Sequence, residues 1–169
     1  DKDVFSFSLF GKDNYYFKCS LRLLTQILSY HPESLAIVHC DNYNYNLFKL
    51  ESIFHNPNIE FIDLGKEPFP YAGLLWRMLP MEQGFNSVSI RDLDTQWTKR
   101  DAEIYNTWLS SDFYAHIIRD DYGQNKEMLG GSWGIKSKKF ELKNAYLSYV
   151  QNMVFNKKYF TQAWDDNTF

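Results

Sequence analysis

Two aspartates that are suited to hold a metal ion stand one residue apart at the end of an apolar stretch. Asp92 and Asp94 follow residues 87–90, which the pattern predicts to be a strand. Because side chains of an extended backbone alternate between two sides, both carboxylates would point the same way. Such oxygens suit Mg²⁺ or Mn²⁺, which also take phosphate oxygens and water as ligands. The pair therefore predicts a cation site that would neutralise the charge of a diphosphate leaving group.

The spacing of these two aspartates is a weak signal when it is taken alone. Asp1 and Asp3 have the same spacing without a preceding strand. The flanking Arg91 and Thr95, together with the strand, favour a functional role for the second pair. A solvated acidic turn that caps the next helix stays open as the alternative.

A phosphatase of the haloacid-dehalogenase type is a further alternative, because its nucleophilic aspartate also follows an apolar strand. Those enzymes carry Thr or Val four residues after the nucleophile, whereas Gln96 stands there in this chain. Arg91 also interrupts the apolar run, so this alternative is disfavoured.

The elements that must position these residues alternate between strand and helix. Thr98, with Asp101 three residues later, predicts a capping box for a helix through Leu109. Strands separated by helices predict an α/β fold with a mainly parallel sheet and helices on both faces, in one domain over residues 1–169. The predicted strands are residues 4–10, 35–40, 59–64, 87–90 and 113–118, with 128–135 partly extended; the other predicted helices are one capped by Asn14 and ended by Pro32, and residues 45–54, 73–81 and 141–155.

The composition excludes several classes of protein. A net charge of −3 gives no basic surface, so no nucleic-acid partner is expected. No apolar run approaches the roughly 20 residues that a membrane span needs. Cys19 and Cys40 fall in predicted elements as small core residues without a secretion signature, which favours a cytoplasmic location.

Five short motifs follow one another in the second half of the chain. In content and order they resemble the motifs of a family of GT-A-fold glycosyltransferases known from bacteria and from large DNA viruses of algae. The family pattern runs R-D-x-D-S, R-E, W-L-x-S, H-I-I-R-D and G-G-x-W-G. The matching segments are R-D-L-D-T at 91–95, K-R-D at 99–101, W-L-S-S at 108–111, H-I-I-R-D at 116–120 and G-G-S-W-G at 130–134.

The resemblance extends to both ends of the chain. Residues 71–80 are similar to a G-x-x-W-R-x-x-P helix of the family, and residues 7–11 with Tyr15 are similar to its opening strand and loop. Residues 164–169 look like the start of a late D-Q-x-F-L segment, so we expect the chain to be truncated or part of a longer protein. The departures are Thr95 for Ser, Asp101 for Glu, and a stretch after Asp120 that lacks the family's histidines.

The resemblance implies a GT-A-like, Rossmann-related sheet and an enzyme that uses a nucleotide-sugar, with UDP-sugar as the expected donor. It implies Mn²⁺ or Mg²⁺ on Asp92 and Asp94, and sugar transfer to a hydroxyl of a glycan or another acceptor. For a viral member the compartment would be the host cytoplasm. The alternative is a catalytically inactive module of the same fold that binds a nucleotide-sugar or a glycan.

The candidate site residues combine these motifs with predicted positions in the fold. Gly11 would allow close backbone approach, and Tyr15 or Tyr16 would stack on uracil. Arg77 would offer a planar fork to a phosphate or a carboxylate, and Gly131 would leave room for the donor sugar. The predicted metal ligands are Asp92 and Asp94, the predicted catalytic residues are Asp120 and Asp166, and the predicted donor-binding residues are Phe10, Gly11, Tyr15, Arg77, Asp92, Gly130, Gly131 and Trp133.

Structural roles remain open for several of these residues. Tyr15 and Trp133 would serve equally as core residues, and Arg77 as part of a surface salt bridge. His116 lies in a predicted apolar strand, which favours a core histidine over a ligand.

Overall fold

The computed structural model describes residues 2–68, 71–119 and 131–137. These residues form six strands and four α-helices. In chain order they are β1 (Asp3–Leu9), α1 (Asn14–Tyr30), β2 (Leu35–Cys40), α2 (Asn42–Phe48), β3 (Ile59–Asp63), α3 (Gly73–Trp76), β4 (Ser87–Arg91), α4 (Lys99–Ser110), β5 (Ala115–Ile117) and β6 (Ser132–Ile135), with short 3-10 helices at Ser52–His55 and Leu79–Glu82.

The six strands form one sheet in the order β3-β2-β1-β4-β6-β5. The first four are parallel to one another, and β6 runs antiparallel to both of its neighbours. The carboxyl ends of β1 to β4 therefore meet the amino end of β6 at one end of the sheet, called the carboxyl end below. The predicted α/β fold with a mainly parallel sheet is confirmed.

Both faces of the sheet are covered, because apolar residues alternate along its central strands. On one face, Phe5, Phe7 and Leu9 of β1 pack in a large core with residues of α1 and α4. On the other face, Val4 packs in a smaller core that includes Met78. The central strands are thus buried on both sides, as parallel strands usually are.

Aspartates start the first two helices. The Asp13 side chain accepts a hydrogen bond from the Tyr15 backbone N–H, so Asp13 and not the predicted Asn14 is the cap of α1. Asp41 accepts in the same way from the Asn44 backbone N–H and starts α2 at Asn42, three residues before the predicted start. The predicted helix over residues 45–54 is wrong in extent, since α2 ends at Phe48 and a 3-10 helix follows.

The helix predicted over residues 73–81 is also divided. α3 ends at Trp76, and a 3-10 helix with Pro80 near its start follows it. Proline has no N–H to donate, so an α-helix cannot continue its hydrogen bonding through Pro80. The capping box of α4 is confirmed at Thr98 and Asp101. The helix predicted over residues 141–155 lies outside the described residues.

Candidate functional site

The site lies where β1 and β4 end side by side at the carboxyl end of the sheet. The two strands are parallel neighbours, with Ser6 opposite Ile90, and β6 begins next to them, with Ser132 opposite Arg91. Ligands of open α/β sheets bind outside the carboxyl ends of the strands. The predicted site residues that the structure describes are compared below with this region.

Asp92 and Asp94 leave β4 on the same side of the chain. Both are exposed, whereas Leu93 between them is 4% exposed and packs in the larger core. The Thr95 hydroxyl donates to the Asp92 backbone carbonyl at 2.7 Å and closes the turn. Burial of Leu93 thus leaves both carboxylates exposed beside the same cavity, although residues 92–95 form a turn and not the extended backbone that the prediction assumed.

Arg77 forms an ion pair with Asp92 of this turn. Its Nη1 donates to Oδ1 of Asp92 at 2.5 Å, and its side chain is 6% exposed while that of Asp92 is 50% exposed. The guanidinium lines the same cavity as the two aspartates. Arg77 therefore belongs to the site and is not a surface residue.

Two serines of β1 fix the backbone of Arg77 against the sheet. The Ser6 hydroxyl donates to the Arg77 carbonyl at 2.6 Å, and the Ser8 hydroxyl accepts from the Arg77 backbone N–H at 2.8 Å. Phe5 and Phe7 alternate with these serines and point into the core on the opposite face. The Phe-Ser alternation of β1 thus places apolar side chains in the core and hydroxyls under Arg77.

Gly131 lies directly against Asp92. A Cβ on Gly131 would come within 1.9 Å of Asp92 Oδ2 and 2.1 Å of Asp92 Cγ, so no side chain fits there unless the carboxylate moves. The Asp92 backbone N–H also donates to the Gly131 carbonyl at 3.3 Å. In the structure, the Asp92 carboxylate fills the space beside Gly131, and contact of Gly131 with the donor sugar stays a prediction.

A cavity of about 250 Å³ opens beside these residues. Tyr16 and Tyr71 contribute aromatic rings to its wall. Tyr71 has a φ of 63°, in the left-handed region that residues other than glycine rarely adopt. The full lining is Ser8, Leu9, Phe10, Tyr16, Tyr71, Leu74, Arg77, Arg91, Asp92, Leu93 and Asp94.

The loop after β1 is held by the loop after β2. The Gly11 backbone N–H donates to Asp41 Oδ2 at 2.8 Å, and the Asn44 amide donates to the Gly11 carbonyl at 2.8 Å. Gly11 has a φ of +82° and no atom within 4 Å of a would-be Cβ, so conformation and not space requires glycine there. Gly11 and Lys12 line a second cavity of about 450 Å³.

The electrostatics of the aspartate turn fit a cation. Partial burial, and then the negative charge of Asp92, raise the pKa of the Asp94 carboxyl above its usual value. Two carboxylates whose charges repel form a donor set that a divalent cation stabilises. No group of three or more His, Cys, Asp or Glu suited to a metal ion occurs among the described residues. Among the described residues, Asp92 and Asp94 are the two carboxylates of this cavity that could hold Mg²⁺ or Mn²⁺.

Of the other predicted donor-binding residues, one lines this cavity and two lie outside its lining. Phe10 lines it and packs edge-on against Trp76 at 6.1 Å between ring centroids. Tyr15 is 58% exposed outside the lining and contacts Tyr16 edge-on at 5.4 Å. Trp133 is 3% exposed in the smaller core, a position that favours packing over stacking on a ligand.

The pKa of the Tyr15 phenol is raised above its usual value. The interaction with the Cys19 side chain is the largest cause, followed by desolvation and then by the negative charge of Asp94. The exposed ring of Tyr15 thus senses the charge of Asp94, although it lies outside the cavity lining.

His116 is partly buried and packs against Trp108 at the edge of the larger core, as its apolar surroundings predict. Its ring stacks on Trp108 at 4.2 Å between centroids and 20° between planes. Burial, and then the positive charge of Arg91, lower the pKa of His116 to about 4. A neutral, stacked imidazole is a packing element and not a ligand of the site.

Three predicted site residues, Asp120, Gly130 and Asp166, lie outside the described residues. The structure adds others that sequence reasoning missed, namely Ser6, Ser8 and Tyr71. The alternation of Phe and Ser in β1 was a visible signal for the serines. Tyr71 stood in the motif at 71–80, but nothing in its type or spacing indicated its backbone conformation or its place in the cavity wall.

Comparison with known proteins identifies the fold. No protein-family model and no curated protein sequence matches the chain. Among solved structures, the chain is similar to the crystal structure of the galactosyltransferase LgtC in complex with donor and acceptor sugar analogs. The TM-score is 0.52 at 15% sequence identity, and the match covers 94% of this chain.

The chain spans 66% of the length of that galactosyltransferase. At this low identity the likeness shows the fold, which is GT-A-like. Among the described residues, no helix has the length and apolar character required to cross a membrane.

Proposed function

We propose that this chain is a metal-dependent glycosyltransferase that moves a sugar from a nucleotide-diphosphate sugar, with UDP-sugar as the expected donor, to a hydroxyl of a glycan or another acceptor. The single observation that carries the proposal is the juxtaposition of Arg77, Asp92 and Asp94 around one cavity at the carboxyl end of the sheet. A buried guanidinium and two carboxylates on one turn suit a diphosphate together with a divalent cation.

The fold supports the same class of reaction. The similar galactosyltransferase was solved with donor and acceptor sugar analogs. The GT-A-like sheet of this chain offers a carboxyl end at which a nucleotide-sugar could bind. The motifs at 91–95 and 130–134, which resemble those of a glycosyltransferase family, place their residues Asp92 and Gly131 in contact here. Membership of that particular family stays a prediction.

Each residue of the site has a role in this proposal. Asp92 and Asp94 would hold Mn²⁺ or Mg²⁺, which neutralises charge on the diphosphate leaving group when it is bound. Arg77 donates to an anionic oxygen through a guanidinium that the fold already orients. Phe10, Tyr16 and Tyr71 wall the cavity and exclude water from one side of the ligand.

The nucleoside would lie toward the loop after β1. Gly11 is exposed there, Tyr15 offers an exposed ring, and the second cavity adjoins Gly11. Asp120 and Asp166 stay the predicted candidates for the base that takes the proton of the acceptor hydroxyl.

A two-part experiment tests the proposal. Thermal-shift measurements with nucleoside diphosphates and nucleotide-sugars, with and without Mn²⁺, should show stabilisation by UDP and UDP-sugars that depends on the cation. A donor-hydrolysis assay should then release UDP from the UDP-sugar in Mn²⁺. Cation-dependent binding without turnover would indicate the inactive binding module instead. Cleavage of UDP to UMP would indicate a phosphohydrolase.

A further inference from the structure

The ion pair between Arg77 and Asp92 is asymmetric. The cation is buried, and Ser6 and Ser8 fix its backbone on both sides. The anion is half exposed at a strand exit, with Gly131 behind it. The fold therefore fixes the position of the guanidinium, while the carboxylate has access to the cavity and to solvent.

The two charges of this pair are also the two charges that the proposed ligands require. A diphosphate alone must compete with Asp92 for the guanidinium, and a divalent cation alone must compete with Arg77 for the carboxylate. Either ligand entering alone leaves one charge of the pair without the partner that it has in the structure. When both enter together, each charge gains a new partner of opposite sign.

We propose that Arg77 and Asp92 exchange partners when ligands bind, so that their ion pair weakens the binding of either ligand alone and makes the binding of cation and diphosphate cooperative. The inference rests on the proposed function, because it takes a nucleoside diphosphate and a divalent cation as the ligands. By linkage each ligand raises the affinity for the other by the same factor, typically about 5- to 150-fold.

Metal-free binding of UDP tests the exchange most directly. Calorimetric titration of UDP in EDTA compares the wild-type chain with Asp92→Asn and Asp94→Asn. Both variants remove one negative charge from the same turn, but only Asp92 bonds to Arg77 in the described structure. Asp92→Asn should bind metal-free UDP about tenfold more tightly than the wild type, and Asp94→Asn at most about twofold more tightly. If both variants gain the same affinity for UDP, charge repulsion explains the effect and the exchange is overturned. The exchange is also overturned if Asp92→Asn gains no affinity.

Binding of Mn²⁺ alone tests the exchange from the other side. Arg77→Gln should raise the affinity for Mn²⁺ about tenfold, because Asp92 is then released. The matched control is Lys99→Gln, which removes the same charge from a side chain that is 80% exposed and pairs with Glu103 at 3.7 Å. An unchanged Mn²⁺ affinity in Arg77→Gln, or an equal gain in the control, overturns the exchange. If Asp92→Asn does not fold, the Mn²⁺ titration of Arg77→Gln alone tests the exchange.

The two arms separate this inference from the proposed function. The manganese arm contains no nucleotide, so failure of the wild-type chain to bind UDP in Mn²⁺ counts against the proposed donor alone. If the wild type binds UDP with Mn²⁺ while the variants do not differ as stated, the exchange fails and the proposed function stands. A wild-type chain that binds neither Mn²⁺ nor UDP contradicts both.

Discussion

The carboxylate of Asp92 occupies the space that a side chain on Gly131 would fill, since Oδ2 lies 1.9 Å from where that Cβ would be. Asp92, just after β4, and Gly131, just before β6, thus fit together because the glycine has no side chain. The sequence predicted that Gly131 leaves room for the donor sugar, whereas in the structure its missing side chain leaves room for the Asp92 carboxylate. A larger residue at position 131 would therefore displace Asp92.

Gly131→Ala should therefore impair ligand binding more than stability. The added methyl group displaces the Asp92 carboxylate, and we expect Mn²⁺-dependent affinity for UDP to fall at least about tenfold, equally for UDP and UDP-sugar. Titration calorimetry and thermal melting would measure the two effects.

The matched control for this variant is Gly134→Ala in β6, the strand that begins one residue after Gly131. A Cβ there would lie 2.8 Å from both His116 Nε2 and Ser89 Oγ in the core. We expect a loss of about 1–3 kcal/mol of stability with UDP affinity retained. The assignment of Gly131 to the site fails if the two variants behave in the same way.

Asp94→Asn should abolish sugar transfer and leave the fold intact. The residue is exposed at a strand exit, so we expect its unfolding free energy to change by less than about 0.5 kcal/mol. Asp92→Asn should destabilise the chain by about 1.5 kcal/mol, because Arg77 loses a charged hydrogen bond while it stays buried. Urea unfolding and donor hydrolysis distinguish the two. Wild-type turnover in Asp94→Asn would contradict its role as a metal ligand.

UDP should stabilise the folded chain far more in the presence of a divalent cation than in EDTA. Diphosphate and the two carboxylates repel each other, and the cation relieves this repulsion. UDP at about 100 times its dissociation constant should then add roughly 2.7 kcal/mol to the unfolding free energy. Melting curves with Mn²⁺, with Mg²⁺ and with EDTA measure the difference. If UDP stabilises the chain equally in EDTA, the prediction that the site binds a metal is wrong.

Stability should fall as the pH is lowered from about 6.5 toward 4. Burial lowers the pKa of both His39 and His116 to about 4, below the value in the unfolded chain. In this pH range the unfolded state binds more protons than the folded state, so acid favours unfolding, whereas stability is flat with respect to these groups above pH 7. Each histidine should account for a loss of about 2 kcal/mol at pH 5.

The variant His39→Gln isolates one of these contributions. Its unfolding free energy should drop by about 2 kcal/mol less between pH 7 and pH 5 than that of the wild type. His55 is exposed, so His55→Gln serves as the control and should keep the wild-type pH dependence. A drop in His39→Gln as large as in the wild type would exclude His39 as a source.

Sequence patterns predicted the strands better than the helices of this fold. β2 was predicted residue by residue, because a continuous apolar run is typical of a strand buried on both faces. α2 was misplaced because its cap, Asp41, stands in a polar stretch where no apolar period marks the helix start. Strand order, including the antiparallel insertion of β6, depends on long-range pairing that local patterns do not contain.

The candidate site was predicted in part for a similar reason. The turn at Asp92 and Asp94 is local, so two aspartates that follow an apolar strand sufficed to predict exposed carboxylates at the end of β4, although the turn itself was not predicted. The contact between Arg77 and Asp92 required the packing of α3 on β1, which is set by hydroxyls of Ser6 and Ser8 about seventy residues away. No spacing rule connects residues that distant, and only the tertiary structure brings them together.

The loop at Gly11 has a thermodynamic consequence for any ligand that binds there. Asp41 accepts from Gly11 with one carboxylate oxygen and from Asn44 at the start of α2 with the other, so one side chain holds both the loop and the helix. The loop is already ordered when the chain folds. A ligand that docks on it loses little conformational entropy from the protein, and association should resemble docking on a rigid surface, without a slow rearrangement after encounter.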